Sequence, residues 1–200
     1  MNRQRMYVSV LMLMIALLAV ALPTSARAAD LVQQDYRVLA TNKTSTMEKE
    51  MNEAAEAGYS FKGVMGGETG FGGNEVVVVM AKANSSAQAD RKQYKLLATS
   101  KTSTMQKEIQ QAGDEGFVYL SQTVFSSTFG GEEVSVILEK NLDQPAQQFE
   151  YKLLATSKTS TMQKELLEAG KQGFQFLGMT VGKTSFGGSE IVSFLRKTAE

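Results

Sequence analysis

The sequence predicts an α+β fold of three tandem βαββ repeats, each an antiparallel three-stranded sheet of order 1-3-2 with one helix on one face. Three observations predict it. Segments 36–82, 94–140 and 151–197 align over 47 residues each without a gap, and 18 of those columns are identical in all three. Within each segment the hydrophobic pattern passes in a fixed order from strand-like to helical and then to two further strand-like runs. Glycines recur at fixed places, singly at Gly58, Gly116 and Gly173 and in Phe-Gly-Gly triplets at 71–73, 129–131 and 186–188.

Each copy opens on a β-rich stretch, Tyr36 to Thr41, Tyr94 to Thr99 and Tyr151 to Thr156, read as strand one. A Ser-x-x-Glu/Gln pattern follows at Ser45 and Glu48, Ser103 and Gln106, and Ser160 and Gln163. It reads as a capping box, in which hydroxyl and carboxylate or amide satisfy the unpaired donors of a helix start. Apolar residues then fall at i, i+4 and i+7: Met47, Met51 and Ala54, then Met105, Ile109 and Ala112, then Met162, Leu166 and Ala169. Gly58, Gly116 and Gly173 stand where a left-handed residue closes a helix, each followed by an aromatic. The alternating pairs Tyr59/Phe61, Phe117/Tyr119 and Phe174/Phe176 begin strand two, and Phe-Gly-Gly supplies a hairpin turn. Strand three is the most continuously apolar: Val76 to Met80, Val134 to Leu138 and Ile191 to Leu195.

A crossover helix makes strands one and two parallel, and the hairpin makes strand three antiparallel to strand two. Order 1-3-2 satisfies both and centres the strand that reads as buried on both faces. One such unit is marginal by itself and leaves a sheet face bare, so the copies are expected to pack on one another.

The expected organisation is a signal peptide at 1–28, repeat one at 29–82 with its core at 36–82, a linker at 83–93, repeat two at 94–140, a linker at 141–150, and repeat three at 151–200. Arg3 and Arg5 precede an uncharged run from Tyr7 to Leu22, and Ala26-Arg27-Ala28 fits a small-x-small cleavage site. That run is short of the roughly 20 residues a spanning helix needs. The chain is therefore expected to be secreted or periplasmic, cleaved near Ala28, with no membrane span afterwards.

Composition narrows the chemistry. The whole chain balances 21 basic against 21 acidic side chains, and the three signal arginines contribute only to the basic side, so the mature chain is mildly acidic. A nucleic-acid surface is not expected. With no histidine and no cysteine there are no disulfides, thiolate nucleophiles, imidazole bases or Cys/His zinc sites. No cofactor or metal is expected.

Three groups of residues are candidates for function. Lys43, Thr44 and Ser45, with Lys101, Thr102 and Ser103 and with Lys158, Thr159 and Ser160, stand at helix starts, where backbone N–H groups and a lysine suit an anion. Phe71, Phe129 and Phe186 stand at hairpin tips and suit contact with a protein or glycan. Glu75, Glu133 and Glu190 recur once per copy and raise carboxylate-based hydrolysis, which needs two such groups a fixed distance apart. Gly182-Lys183-Thr184 imitates the end of a P-loop, but Leu177 stands where that motif needs glycine.

The unit resembles a family of short bacterial domains of unknown function, in which a Tyr-x-φ-φ strand precedes a helix ending in Gly-aromatic and a last strand ending in Lys or Arg. Tyr36, Tyr94 and Tyr151, the pairs 58–59, 116–117 and 173–174, and Lys82, Lys140 and Lys197 carry the likeness. The resemblance implies a bacterial origin and the βαββ fold, and brings no catalytic residue, cofactor or substrate. The expected function is a non-enzymatic binding or structural module of the bacterial envelope or medium, its partner an envelope protein or polymer. The alternatives are a small-anion or small-molecule receptor at the Lys-Thr-Ser helix starts and a carboxylate-based hydrolase.

Overall fold

The computed structural model describes residues 33–70, 73–83, 90–126, 131–183 and 188–199, all within the unit Val32–Glu200. The first repeat comprises β1 (Gln34–Thr41), α1 (Thr44–Glu56), β2 (Ser60–Thr69) and β3 (Gly73–Ala83). The second comprises β4 (Lys92–Thr99), α2 (Thr102–Asp114), β5 (Val118–Ser126) and β6 (Glu132–Asn141). The third comprises β7 (Phe149–Thr156), α3 (Thr159–Lys171), β8 (Gln175–Lys183) and β9 (Ser189–Thr198). The sheets run β1-β3-β2, β4-β6-β5 and β7-β9-β8, with every neighbouring pair antiparallel. The 1-3-2 order is therefore the observed one. Among the described residues no helix is long and apolar enough to cross a membrane.

The helix starts differ from the capping-box expectation. Lys43, Lys101 and Lys158 are the N-cap residues, in extended conformation and without a side-chain cap, so Ser45, Ser103 and Ser160 lie inside the first turn. The turn before each helix is held by a threonine hydroxyl: Thr41, Thr99 and Thr156 accept from the backbone N–H two residues on, at 3.2, 3.1 and 3.2 Å. The expected box acids and amides are engaged elsewhere, at least in the first two copies, as described below.

The helix ends follow the glycine expectation. Gly58, Gly116 and Gly173 have φ of 87°, 87° and 85°, and the N–H of the next aromatic returns to the carbonyl of Ala54, Ala112 or Ala169 at 3.0, 2.9 and 3.1 Å. This satisfies a carbonyl the helix leaves open. The aromatic then lies between two cations. Arg37 and Lys82 flank Tyr59, Lys95 and Lys140 flank Phe117, and Lys152 and Lys197 flank Phe174, at 4.4 to 6.0 Å from the ring centres. The closing lysines thus fasten the last strand to the helix end; Lys82 also donates to the Ala57 carbonyl at 2.8 Å.

The repeats stack in alternating layers of sheet and helix. Met47, Met51 and Ala54 of α1 are covered on one side by Leu39, Val78 and Met80 of their own sheet. On the other side lie Tyr94, Leu96, Phe125 and Ile137 of the next. The second core repeats this, with α2 residues Met105, Ile109 and Ala112 between Val136 and Leu138 of their own sheet and Tyr151, Val192 and Phe194 of the third. Strand β6 consequently serves both cores and is buried without a break from Ser135 to Leu138. Close approach of the sheets uses glycine: a Cβ at Gly66 would run into the Val124 carbonyl, and one at Gly178 would lie 2.6 Å from the Tyr119 phenol.

Ser193 is fully buried on β9, and its hydroxyl has no hydrogen-bond partner among the described residues. The matching positions in the other copies are Val78 and Val136. Ser193→Val is therefore expected to stabilise the fold by about 1 kcal/mol, by removing an unpaired hydroxyl and adding apolar contact in a strand. The urea midpoint of unfolding measures it, and an unchanged or lowered midpoint would count against the reading.

Candidate functional site

The helix of one repeat meets the first strand of the next through paired side chains. Asn52 of α1 donates to the Tyr94 carbonyl at 3.0 Å and accepts from the Tyr94 N–H at 2.8 Å. One turn earlier, Glu48 accepts from the Leu96 N–H at 2.8 Å. Gln110 of α2 accepts from Tyr151 N–H at 2.9 Å and donates to the Phe149 carbonyl at 3.2 Å. Gln106 accepts from Leu153 N–H at 2.7 Å and donates to the Tyr151 carbonyl at 2.9 Å. Residues four apart share a helix face, so each pair lies along the open edge of β4 or β7 and supplies the donors and acceptors a neighbouring strand would.

A tyrosine locks each junction from the strand side. The Tyr94 phenol accepts from the Phe61 N–H at 2.9 Å and donates to Glu139 at 2.8 Å. The Tyr151 phenol accepts from the Tyr119 N–H at 2.8 Å and donates to the Phe117 carbonyl at 3.0 Å. Both accepting contacts fall at a β-bulge, where the register shifts between Phe61 and Gly63 and between Tyr119 and Ser121. Burial raises the pKa of both phenols, and that of Tyr119 as well. Small residues complete the fit: a Cβ at Gly113 of α2 would lie 2.5 Å from the Phe149 carbonyl and 2.7 Å from the Tyr151 ring.

The sequence-expected sites are distributed as follows. Lys43 and Ser45, Lys101 and Ser103, and Lys158, Thr159 and Ser160 are exposed; Thr44 and Thr102 are half-buried. Among the described residues the three lysine ammonium groups make no ion pair or hydrogen bond. At α2 a carboxylate already meets the helix start, because the Thr102 hydroxyl donates to Glu190 of the third repeat at 2.7 Å. The cavity beside it, lined by Lys101, Thr102, Val134 and Phe194 among others, measures about 10 Å³. Glu75 accepts from the Thr69 hydroxyl at 2.5 Å, and Glu75, Glu133 and Glu190 stand on three different sheets. Phe71, Phe129 and Phe186 lie outside the described residues.

Sequence reading missed Glu48, Asn52, Gln106 and Gln110 as junction residues. Their signal was a polar pair at i and i+4 beside the apolar stripe, present in copies one and two and broken by Leu167 in copy three. These features define a stacked α+β repeat protein, its units joined helix to strand edge. Comparison with protein-family models, with curated proteins and with solved structures finds no match.

Proposed function

We propose that the chain is an exported, non-enzymatic repeat protein of the bacterial envelope or medium, acting as a binding or structural module. The junction carries this reading. Helices α1 and α2 each fit the first strand of the next repeat through paired side chains, so the three copies form one array that repeats the Lys-Thr-Ser helix start. Lys43, Lys101 and Lys158 stand at those starts with ammonium groups free of any described partner. Repeated weak contacts on one frame raise apparent affinity for a repeating polymer through effective concentration.

Export rests on the charged start, the apolar run and Ala26-Arg27-Ala28. The resemblance of each unit to short bacterial βαββ domains supports a bacterial origin and brings no activity with it. The hydrogen bonds of Glu75 and Glu190 to threonine hydroxyls support structural work for those carboxylates rather than hydrolysis. A receptor for small anions is the second reading, centred on the starts of α1 and α3, since at α2 the Glu190 carboxylate already accepts from the Thr102 hydroxyl.

The test is co-sedimentation of residues 29–200 with isolated bacterial envelope polymer, beside a chain carrying Lys43→Ala, Lys101→Ala and Lys158→Ala. Retention of the first and loss of the second is expected. Equal retention of both would move the contact away from the helix starts, and no retention of either would sink the polymer-binding reading.

A further inference from the structure

Two faces of the array keep the junction surfaces but, among the described residues, have no repeat against them. The outer face of the first sheet corresponds to the faces of the second and third sheets that receive α1 and α2. On it Tyr36 and Val38 are 62% and 64% exposed, whereas Tyr94 and Tyr151, the counterparts of Tyr36, are 2% and 3% exposed. Met65 lies exposed on that same face, opposite Val77. At the other end no described sheet covers the far side of α3: Met162 and Leu166 are only half-buried, although their counterparts Met47, Met51, Met105 and Ile109 are fully buried. Beside α3, Phe176, Met179 and Val181 are exposed on the face of β8 where the next sheet would lie. Of the eight large hydrophobic side chains exposed among the described residues, seven belong to these two end faces, Leu167 of α3 included.

We infer that the chain associates head to tail with further copies of itself, the α3 face of one copy docking on the outer face of the first sheet of another. The occupant is argued from continuity with two junctions already present. Tyr36 stands where Tyr94 and Tyr151 stand, and Gln163 where Glu48 and Gln106 stand. Gly170 keeps the position of Gly113, whose missing Cβ admits a strand, yet nothing lies within 4 Å of the Cβ position at Gly170. A repeat array normally closes its ends with polar capping units, and among the described residues no such unit covers these two faces. Because the two faces differ, the contact is heterologous and propagates. Leu167 occupies the place of Asn52 and Gln110 and offers neither donor nor acceptor, so this junction lacks the hydrogen bonds Gln110 gives Tyr151 and Phe149. The association is accordingly weaker than an internal junction, and reversible.

The inference does not depend on polymer binding. Every described element lies in 33–199, so the test uses residues 29–200, as wild type and as two separate variants, Val38→Lys and Leu167→Lys. Both substitutions fall on exposed side chains, and melting curves confirm that the variants fold. Sedimentation velocity over a concentration series is expected to give a ladder of wild-type masses that lengthens with concentration. Each variant alone is expected to stay a monomer. An equal mixture of the two is expected to form a dimer that grows no further, since each variant retains the face the other has lost. A wild type that stays monomeric at its highest soluble concentration would overturn the inference. So would association that survives either substitution, as a symmetric dimer through one face would produce, or a mixture that forms no dimer.

Discussion

Alanine at position 113 destabilises the fold by about 3 kcal/mol, while alanine at the matching position 170 stabilises it by up to about 1 kcal/mol. Both glycines are the next-to-last residue of a 13-residue helix, so intrinsic helix preference favours alanine equally at both. What differs is the far side. At Gly113 the new methyl would lie 2.5 Å from the Phe149 carbonyl and 2.7 Å from the Tyr151 ring, forcing β7 away from α2 and loosening the hydrogen bonds made by Gln106 and Gln110. At Gly170 it meets nothing within 4 Å. Urea unfolding of the two variants measures the difference, and effects of the same sign would mean that the second junction is not packed as described.

The second large effect is alkaline. Burial pushes the Tyr94, Tyr119 and Tyr151 phenols above the ordinary tyrosine value, with the phenol of Tyr151 adding to the shift at Tyr119. Above pH 10 the folded chain therefore keeps protons that the unfolded chain has released. A raised folded-state pKa contributes stability that is whole below about pH 10 and is lost as pH climbs beyond it. Where the folded chain holds a proton that the unfolded chain has lost, each tyrosine contributes a slope of up to about 1.4 kcal/mol per pH unit, so the fall steepens with the number of phenols still protonated. Denaturant unfolding at intervals from pH 8 to pH 11.5 is expected to show a plateau and then a sharp fall. A Tyr151→Phe chain starts less stable, because the Tyr119 N–H and Phe117 carbonyl lose their partner, and then declines with a shallower slope. Stability unchanged through pH 11 would contradict the burial of these phenols.

Much of each unit was legible in the sequence because its determinants are local. The Gly58 class of helix stop, the alternation around Tyr59 and Phe61, and the unbroken apolar run of Val76 to Met80 each report on residues a few positions away. The 1-3-2 order follows once a helix joins strands one and two and a hairpin joins two and three. The stacking was legible only as a need, since a strand written Tyr-x-x-Leu-Ala reads alike whether its outer face meets solvent, as at Tyr36, or a helix, as at Tyr94. Misreading the capping box has the same origin. Ser45 and Glu48 satisfy a local pattern, but Glu48 bonds the backbone of Leu96, 48 residues along the chain, and no local window contains that partner. The candidate helix starts were found in place at three N-termini, while Glu190 at the start of α2 comes from a repeat 88 residues away and left no mark in the pattern around Thr102.

The way one unit greets the next has a consequence for the gene. Across the junction Glu48 and Asn52 address backbone atoms, those of Tyr94 and Leu96, and Gln106 and Gln110 address the matching atoms of Tyr151 and Leu153 together with the Phe149 carbonyl. A main chain is common to every copy whatever its side chains, so the connection does not discriminate between second and third units. Unequal recombination that drops or repeats the second unit would leave α1 and the α2-type helices facing an edge of the kind they already hold. A unit of the second kind can therefore be lost or gained without a new surface having to be invented.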